Sequence, residues 1–148
     1  MTIEIYTDGA CSGNPGIGGW GVIILQKQQI INTLSGNEKY TTNNRMEMMA
    51  AIKALQYMHN TKSKLEINLY TDSIYVKNGI TKWLFNWKKR NWHTANGDKV
   101  KNKDLWQILD NITKLLQINW YWLKGHAGNK YNEQADNLAK QALLKIKS

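Results

Sequence analysis

The sequence predicts an α/β fold in which flanking helices cover a five-stranded mixed sheet, made of an antiparallel meander plus parallel strands. Three patterns support this prediction. Apolar and polar residues alternate, with the period of a strand, in two segments that both end in Tyr-Thr-Asp, at residues 6–8 and 70–72. Two more strand-like runs follow the first segment. Most of the remaining chain carries apolar stripes with the helical period.

The first half of the chain predicts three strands and then a helix. Residues 3–8 form the first strand, and residues 18–36 have the pattern of two strands joined by a polar turn. These three strands make up the meander. Residues 43–59 predict a helix, because four side chains recur on one face. They are Met48, Ile52, Leu55 and His59.

The second half predicts a strand over residues 65–72, two helices, a fifth strand over residues 117–125 and a last helix over residues 132–146. Ser73 is placed to cap a helix that covers residues 74–83. The helix over residues 104–116 has a stripe of Leu105, Ile108, Leu109 and Ile112. The stripe of the last helix consists of Ala135, Leu138, Ala139, Ala142 and Ile146. The indoles of Trp20, Trp106, Trp120 and Trp122 are expected in the core.

Length and composition limit the class of protein. A chain of 148 residues suits one domain, residues 1–148, which buries enough surface to fold without covalent staples. Its one cysteine, Cys11, excludes an intramolecular disulfide framework and a multi-cysteine metal site, and fits a reducing compartment. The first residues enter a strand pattern directly, and no apolar run has the length of a membrane helix. We therefore expect a mature, monomeric cytoplasmic protein.

The charge balance predicts a polyanionic partner. Twenty Lys and Arg against eleven Asp and Glu give a formal net charge of +9. Most of the excess lies in residues 77–103, where eight basic residues and one acidic residue leave a local charge of +7. Trp83 and Trp87 lie one helical turn apart in this segment, so aromatic faces and cations are interleaved there.

Four carboxylates lie at the ends of predicted elements: Asp8, Glu47, Asp72 and Asp136. Taken singly, each has a structural explanation as a turn residue, a capping-box glutamate, a strand end or a first-turn helix residue. If the two Tyr-Thr-Asp strands are adjacent and parallel, however, Asp8 and Asp72 project side by side. Two like charges about 4 Å apart repel by ~1 kcal/mol in water and ~4 kcal/mol at an effective dielectric near 20, so such a cluster costs stability unless cations fill it. Oxygen-only ligands favour Mg²⁺ or Mn²⁺.

Four blocks of sequence resemble ribonuclease H of the bacterial type 1 class, in matching order over nearly the whole chain. They are YTDGACSGNPGIGGWG, TTNNRMEMMAAIKAL, LYTDSIYVKNGITKW and WYWLKGHAGNKYNEQADNLA. A single TDG or TDS has little specificity, but four blocks in order are highly specific. The resemblance implies a ribonuclease H-like fold and an endonuclease that hydrolyses the RNA strand of RNA/DNA hybrids. It also implies a two-metal-ion mechanism that leaves 5′-phosphate and 3′-hydroxyl ends.

The resemblance also implies the residues that act. The family's catalytic, metal-binding set of carboxylates corresponds to Asp8, Glu47, Asp72 and Asp136, which would hold two Mg²⁺ ions. In this scheme Asp8 bridges both ions, Asp136 serves the ion that activates water, and Glu47 and Asp72 serve the leaving-group side.

His126 resembles the histidine that assists proton transfer and product departure, although spacing alone would make it an ordinary loop residue. His59 and His93 have no comparable context.

Two groups of residues resemble the family's contacts to the hybrid. The expected RNA-strand residues, which suit recognition of the 2′-hydroxyl, are Cys11, Ser12, Gly13, Asn14, Asn43 and Asn44. The expected DNA-strand residues are Thr42, Trp83, Lys88, Lys89, Arg90 and Asn102, of which Thr42 and Asn102 match a phosphate pocket. Residues 11–16 also read as a plain Gly/Pro turn, and Asn44 as a helix cap.

The chain departs from the family pattern at two positions. Tyr40 stands where relatives often carry Arg beside the phosphate pocket, and Ile74 stands where they often carry Gln. The first puts the charge of the pocket in doubt, and the second removes a possible minor-groove contact. Two other functions stay open. A non-catalytic hybrid-binding module would need only the basic, Trp-bearing segment, and a nuclease acting on DNA junctions or ends is disfavoured by the polar RNA-strand residues.

Overall fold

The computed structural model describes residues 2–124 and 129–147, and only the backbone of Lys147. The described residues begin with three strands, β1 (Thr2–Gly13), β2 (Gly16–Gln26) and β3 (Gln29–Thr41), followed by helix α1 (Asn43–Asn60). Strand β4 (Glu66–Thr71) leads into α2 (Ile74–Asn78), a π-helical turn (Gly79–Trp83) and α3 (Leu84–Lys89). Helix α4 (Lys103–Thr113), strand β5 (Ile118–Trp122) and helix α5 (Lys130–Lys147) complete the order.

The five strands form one mixed sheet in the order β3-β2-β1-β4-β5. Strands β1, β2 and β3 are an antiparallel meander, while β4 pairs in parallel with both β1 and β5. The predicted fold class is therefore confirmed. None of the described helices combines the length and the apolar character that a membrane crossing requires.

Helices cover both faces of the sheet. On one face, Ile5, Val22 and Leu69 belong to the core that also holds the buried residues of α1 and α4. On the other face, Tyr6 and Ile23 pack with Ala135 of α5. Because successive strand residues point to opposite faces, the alternation read from β1 sends Ile5 and Tyr6 to these two separate cores.

The predicted helical stripes are correct except at two positions. His59 is exposed at the end of α1, and Met58 is buried instead. Ile108 is exposed on α4, whereas Trp106 is fully buried between neighbouring helices. The indole of Trp106 occupies the space beside Gly79, where a Cβ atom would lie inside the ring.

Two more expectations concern the tryptophans and the helix after Ser73. Trp20 and Trp120 are half-buried against the core, as are Trp87 and Trp92. The side chain of Ser73 accepts a hydrogen bond from the backbone N–H of Val76 (3.1 Å), as expected of a helix cap. The helical segment then continues to Lys89, beyond the predicted end at residue 83.

Two glycines let the helices approach the centre of the sheet. A Cβ atom on Gly9 of β1 would lie 2.5 Å from the backbone nitrogen of Glu47 in α1. On the opposite face, a Cβ atom on Gly21 of β2 would meet the backbone of α5, at the Ala135 carbonyl and 3.0 Å from the Ala139 nitrogen. No side chain fits between strand and helix at either point.

Gly21→Ala tests the close approach of α5. The added methyl group meets helix backbone, which has little freedom to move aside, so we expect the free energy of unfolding to fall by about 1–3 kcal/mol. Urea unfolding measures this. The control is Ser35→Ala, at the exposed position paired with Gly21 in β3. If both variants are equally stable, α5 does not depend on the glycine contact.

Candidate active site

Parallel pairing of β1 and β4 brings two aspartates to the same end of the sheet. The register runs from Thr2 opposite Glu66 to Tyr6 opposite Tyr70, an offset of 64 residues. The same offset separates Asp8 from Asp72, which directly follows β4. The repeated Tyr-Thr-Asp segments thus deliver two carboxylates side by side, as the sequence predicted.

Glu47 reaches the same place from α1, whose backbone lies against Gly9. The cap of α1 is Thr42, whose hydroxyl accepts a hydrogen bond from the Arg45 N–H (3.2 Å). The alternatives in which Asn44 caps the helix and Glu47 completes a capping box are therefore wrong. Glu47 lies in the second turn and is only 6% exposed, so the helix cap does not explain its burial.

The three carboxylates form a compact oxygen cluster. One oxygen each from Asp8, Glu47 and Asp72 lies within 4.8 Å of the other two. Oδ2 of Asp8 and Oε1 of Glu47 are buried and have no hydrogen-bond partner among the described residues. Buried carboxylate oxygens without donors match the needs of a hard divalent cation such as Mg²⁺, so these residues fit such an ion.

The cluster is electrostatically strained when no cation is bound. Burial, reinforced by the charge of Asp72, raises the pKa of Asp8 to about 8. Burial and the charges of Asp8 and Asp72 raise the pKa of Glu47 well above its usual range. Near neutral pH the metal-free site therefore keeps at least one proton, because the carboxylates repel one another at close range.

Asp136 lies on the α5 side of this cluster. Its side chain is close enough to Asp8 to raise the pKa of Asp8 through a hydrogen bond. The approach of α5 to Gly21, the β2 partner of Asp8, accounts for this proximity. The side chain of Lys140, one turn further along α5, lies 2.9 Å from Oδ2 of Asp136.

The histidines contribute little to the described geometry. His126 lies outside the described residues. His59 is exposed at the end of α1, and Nδ1 of His93 lies 3.0 Å from the carbonyl oxygen of Asn91 in the loop after α3. Neither position is part of the carboxylate cluster.

The predicted RNA-strand residues come from two segments that the fold joins. The backbone N–H of Asn43 donates to Oδ1 of Asn14 (3.0 Å), which ties the start of α1 to the β1–β2 turn. Ser12 and Asn44 are exposed on the same two segments. The half-buried thiol of Cys11 lies 2.7 Å from the carbonyl oxygen of Gly13 and 3.4 Å from that of Thr41. The positive φ of Gly13 (85°) suits glycine in this turn.

The predicted phosphate-pocket residues, Thr42 and Asn102, are linked through Arg45. The Arg45 backbone donates to Thr42, and its guanidinium Nη1 donates to Oδ1 of Asn102 (3.2 Å). Asn102 also lines a cavity of about 400 Å³ together with Asn44 and Trp83. The fold thus joins predicted residues that lie as far as 60 positions apart in sequence.

Trp83 is half-buried in an aromatic cluster. Its ring centroid lies 5.6 Å from those of both Tyr75 and Trp87. Trp87 in turn packs edge-on against the buried Trp106. Part of Trp83 remains exposed, and its orientation is set by its neighbours.

The three basic residues of α3 have different surroundings. Lys88 forms a 3.2 Å ion pair with Asp110 of α4, whose side chain is 14% exposed. The ammonium of Lys89 lies over the ring of Phe85, 4.2 Å from its centroid. Arg90 is exposed at the C-cap of α3. Asp110 therefore offsets part of the local positive charge.

The two departures from the family pattern are surface residues. Tyr40 is 75% exposed and Ile74 is 57% exposed. Ile74 begins α2 two residues after Asp72. No local sequence pattern points to Arg45, Tyr75 or Asp110, which form side-chain contacts with residues 22 to 59 positions away.

Comparison with known sequences identifies the family. The family model described as RNase H matches residues 1–144. A protein named Ribonuclease H from Francisella philomiragia is 56% identical over 141 residues, which cover 95% of this chain and 90% of that protein. One of the same name from Bartonella bacilliformis is 54% identical over 145 residues, with coverage of 98% and 91%.

Solved structures with the same architecture support the fold. LC9-RNase H1, described as a type 1 RNase H with the type 2 active-site motif, has a TM-score of 0.86 at 30% identity, covering 97% of this chain and 72% of that chain. LC11-RNase H1, solved in complex with an RNA/DNA hybrid, has a TM-score of 0.78 at 24% identity, covering 99% of both chains. The second similarity supports the fold alone.

Asp8→Asn should stabilise the metal-free protein. Above pH 8, where Asp8 is ionised, it removes one charge from the cluster, and we expect the free energy of unfolding to rise by ~1–4 kcal/mol, the range of the Coulomb repulsion. The gain should shrink as the pH falls towards 5, because the pKa of Asp8, raised to about 8, lets the folded wild-type protein take up a proton there. Equivalently, the free energy of unfolding of the wild-type protein should fall as the pH rises from about 4 to about 8.

Thermal melts in EDTA and in Mg²⁺ measure this effect. The ion should raise the melting temperature of the wild-type protein more than that of Asp8→Asn. The control is Asp98→Asn, in an exposed loop, which should change neither quantity. If Asp8→Asn strongly lowers the metal-free melting temperature, then the Asp8 carboxylate stabilises the fold and is not a source of strain.

Proposed function

The chain belongs to the ribonuclease H family, and we propose that it is a metal-dependent endonuclease that hydrolyses the RNA strand of RNA/DNA hybrids. The expected products carry 5′-phosphate and 3′-hydroxyl ends. The observation that carries this proposal is the cluster of Asp8, Glu47 and Asp72, of which the first two are buried and whose oxygens lie within 4.8 Å of one another. A cluster of this kind destabilises the fold, so a catalytic role explains why it is there.

We propose that the cofactor is Mg²⁺, as two ions in the catalytic complex, with Mn²⁺ able to substitute. The residues that would hold them are Asp8, Glu47, Asp72 and Asp136. When bound, two such ions supply an activated water and stabilise the leaving oxygen of an in-line displacement at phosphorus. The protein itself supplies one carboxylate from within β1, Asp8, and one from the carboxyl end of β4, Asp72.

The carboxylates differ in how far they are buried. Asp8 is anchored within β1 and Glu47 within the second turn of α1, both buried. Asp136 is more exposed on α5 and is held by Lys140. We assign Asp136 to the side from which water enters and Asp8 to the centre of the site. His126 is proposed to assist proton transfer and product departure, on the strength of the family resemblance.

Strand discrimination is proposed to rest on two surfaces. The β1–β2 turn and the start of α1 present exposed polar groups, which suit contacts to 2′-hydroxyls of the RNA strand. The DNA strand would follow Thr42, Asn102, Trp83 and the basic end of α3. Both surfaces address sugar and phosphate, so we expect little base specificity.

A non-catalytic hybrid-binding module is the main alternative. It would use the same basic and aromatic surface, but it would have no use for buried, mutually repelling carboxylates. Family membership also disfavours a nuclease for DNA junctions or ends. That residues 1–148 form a single domain, and that it acts as a cytoplasmic monomer, are proposals that rest on the sequence expectations.

A cleavage assay tests the function directly. The wild-type protein with Mg²⁺ should cut the RNA strand of a labelled hybrid and leave the matching DNA duplex and RNA duplex intact. Asp8→Asn and Asp72→Asn should still bind the hybrid but lose cleavage, because each removes a carboxylate of the cluster. Ligation of the products identifies their ends. A 5′-phosphate and a 3′-hydroxyl allow a ligase to join the products without prior phosphorylation. Hybrid binding without cleavage by the wild-type protein would establish the binding module instead.

The basic residues of α3 give a separate prediction about binding. Replacing Lys88, Lys89 and Arg90 together by Gln should weaken hybrid binding and flatten the slope of log K against log salt, by up to ~0.9 for each phosphate that the variant no longer neutralises. Of the three single substitutions, Lys88→Gln should change the salt slope least, because Asp110 already pairs with Lys88. Cleavage at saturating substrate should persist, since these side chains belong to α3 and not to the carboxylate cluster.

The matched control is Lys53→Gln on the exposed side of α1, which should leave the salt slope unchanged. Normal binding of the triple variant at every salt concentration would show that the DNA strand follows another path. Equal losses of binding and of saturated cleavage would show that these residues align the scissile strand.

A further inference from the structure

Asn102 is held in an unusual backbone conformation at the start of α4. It is the N-cap residue, with φ 58° and ψ 30° in the left-handed region, and its side chain makes no capping hydrogen bond. Asn tolerates this region better than most residues with a side chain. Its amide is thus directed away from the helix that it precedes, and it contacts side chains of two other helices.

Both ends of the Asn102 amide are engaged. Oδ1 accepts a hydrogen bond from Nη1 of Arg45 (3.2 Å), and Nδ2 donates one to the hydroxyl of Tyr75 (3.0 Å). A guanidinium only donates, so the amide oxygen must face Arg45. That orientation leaves Nδ2 facing Tyr75 with one of its two N–H groups unused by this pair of contacts.

Arg45 is itself fixed. Its Nη1 and Nη2 donate to the two oxygens of Asp104 at 3.0 and 2.9 Å, a bidentate pair, and its side chain is 28% exposed. Its backbone N–H donates to the hydroxyl of Thr42. One residue therefore contacts both members of the proposed phosphate pocket. It also brings a guanidinium to a pocket in which Tyr40 provides no charge.

Tyr75 fixes the other end. Its hydroxyl accepts hydrogen bonds from Asn102 and from Nε1 of Trp106, both at 3.0 Å, and Trp106 is fully buried. Its ring also packs edge-on against Trp83. Because α2 begins after the Ser73 cap that follows Asp72, Tyr75 connects the proposed DNA-strand contacts to the catalytic end of β4.

We propose that Arg45 and Tyr75 are positioning residues for the DNA strand: together they hold the amide of Asn102 so that its remaining N–H binds one phosphate. The inference rests on the proposed function, because it assumes that a hybrid lies on this surface. It adds that this phosphate contact depends on two side chains that need not touch the nucleic acid. Loss of either side chain frees the amide to rotate and weakens the same single contact.

The test uses hybrids that carry one neutral methylphosphonate linkage at successive positions of the DNA strand. In the wild-type protein one linkage should raise KM about two- to tenfold, the factor that one net hydrogen bond contributes. Asn102→Ala should abolish that increase in KM. The linkage at which the increase disappears is the phosphate that Asn102 binds. Tyr75→Phe keeps the ring but removes the hydroxyl. It should raise KM on the unmodified hybrid by a similar factor, leave kcat unchanged, and reduce the penalty at that same linkage.

Arg45→Lys provides a second, independent variant, since an ammonium cannot reproduce the bidentate pair and the contact to Asn102 together. It should lose the penalty at the same linkage. The control is Tyr57→Phe, which removes a hydroxyl from a half-buried tyrosine of α1 and should keep the full penalty. Thermal melts accompany each variant, and if Tyr75→Phe fails to fold, Arg45→Lys decides.

The inference is overturned if Tyr75→Phe and Arg45→Lys retain the full penalty, or if wild-type KM shows no sensitive linkage. It is also overturned if the variants lower kcat and raise KM to the same extent whichever linkage is neutral. That result indicates a general structural defect. A wild-type protein that fails to cleave the hybrid overturns the proposed function, and this inference with it. Normal wild-type cleavage with unchanged penalties overturns only the inference.

Discussion

The repulsion among buried carboxylates is the constraint on which the rest of this structure depends. Asp8, Glu47 and Asp72 present oxygens within 4.8 Å of one another, and the burial of Asp8 and Glu47 limits the screening of their charges by water. The fold must hold them together against this repulsion. It does so with three rigid elements, because β1 and β4 are joined by a parallel ladder and α1 is packed on the sheet.

The absence of side chains at two strand positions makes this arrangement possible. Gly9 lets the backbone of α1 approach β1 from one face, and Gly21 lets α5 approach β2 from the other. Helices packed on opposite faces of one sheet thereby supply Glu47 and Asp136 to the same end of β1. The tight packing resists the separation of the carboxylates, which would otherwise relieve their repulsion.

Part of the positive charge outside the cluster is paired with acidic residues. Arg45 is paired with Asp104, Lys88 with Asp110, and Lys140 with Asp136. The first pair links α1 to α4 and the second links α3 to α4, while the third lies within α5. None of the three pairs involves Asp8 or Glu47, whose carboxylate oxygens are left to a cation. A local charge of +7 counted along the sequence therefore overstates the free positive charge of the folded surface, because the compensating Asp110 comes from another helix.

The sequence by itself determined the order of elements, the mixed sheet and the pairing of Asp8 with Asp72, because strand period and the repeated Tyr-Thr-Asp are local patterns that survive folding. It placed Ile108 in the core and let Asn44 cap α1, and both errors concern choices between neighbouring residues that packing decides. Only the tertiary structure joined Asn102 to Arg45 and Tyr75, or Lys88 to Asp110, because these contacts cross between separate helices. No periodicity along the chain encodes such contacts; they follow from the angles and distances at which whole elements pack.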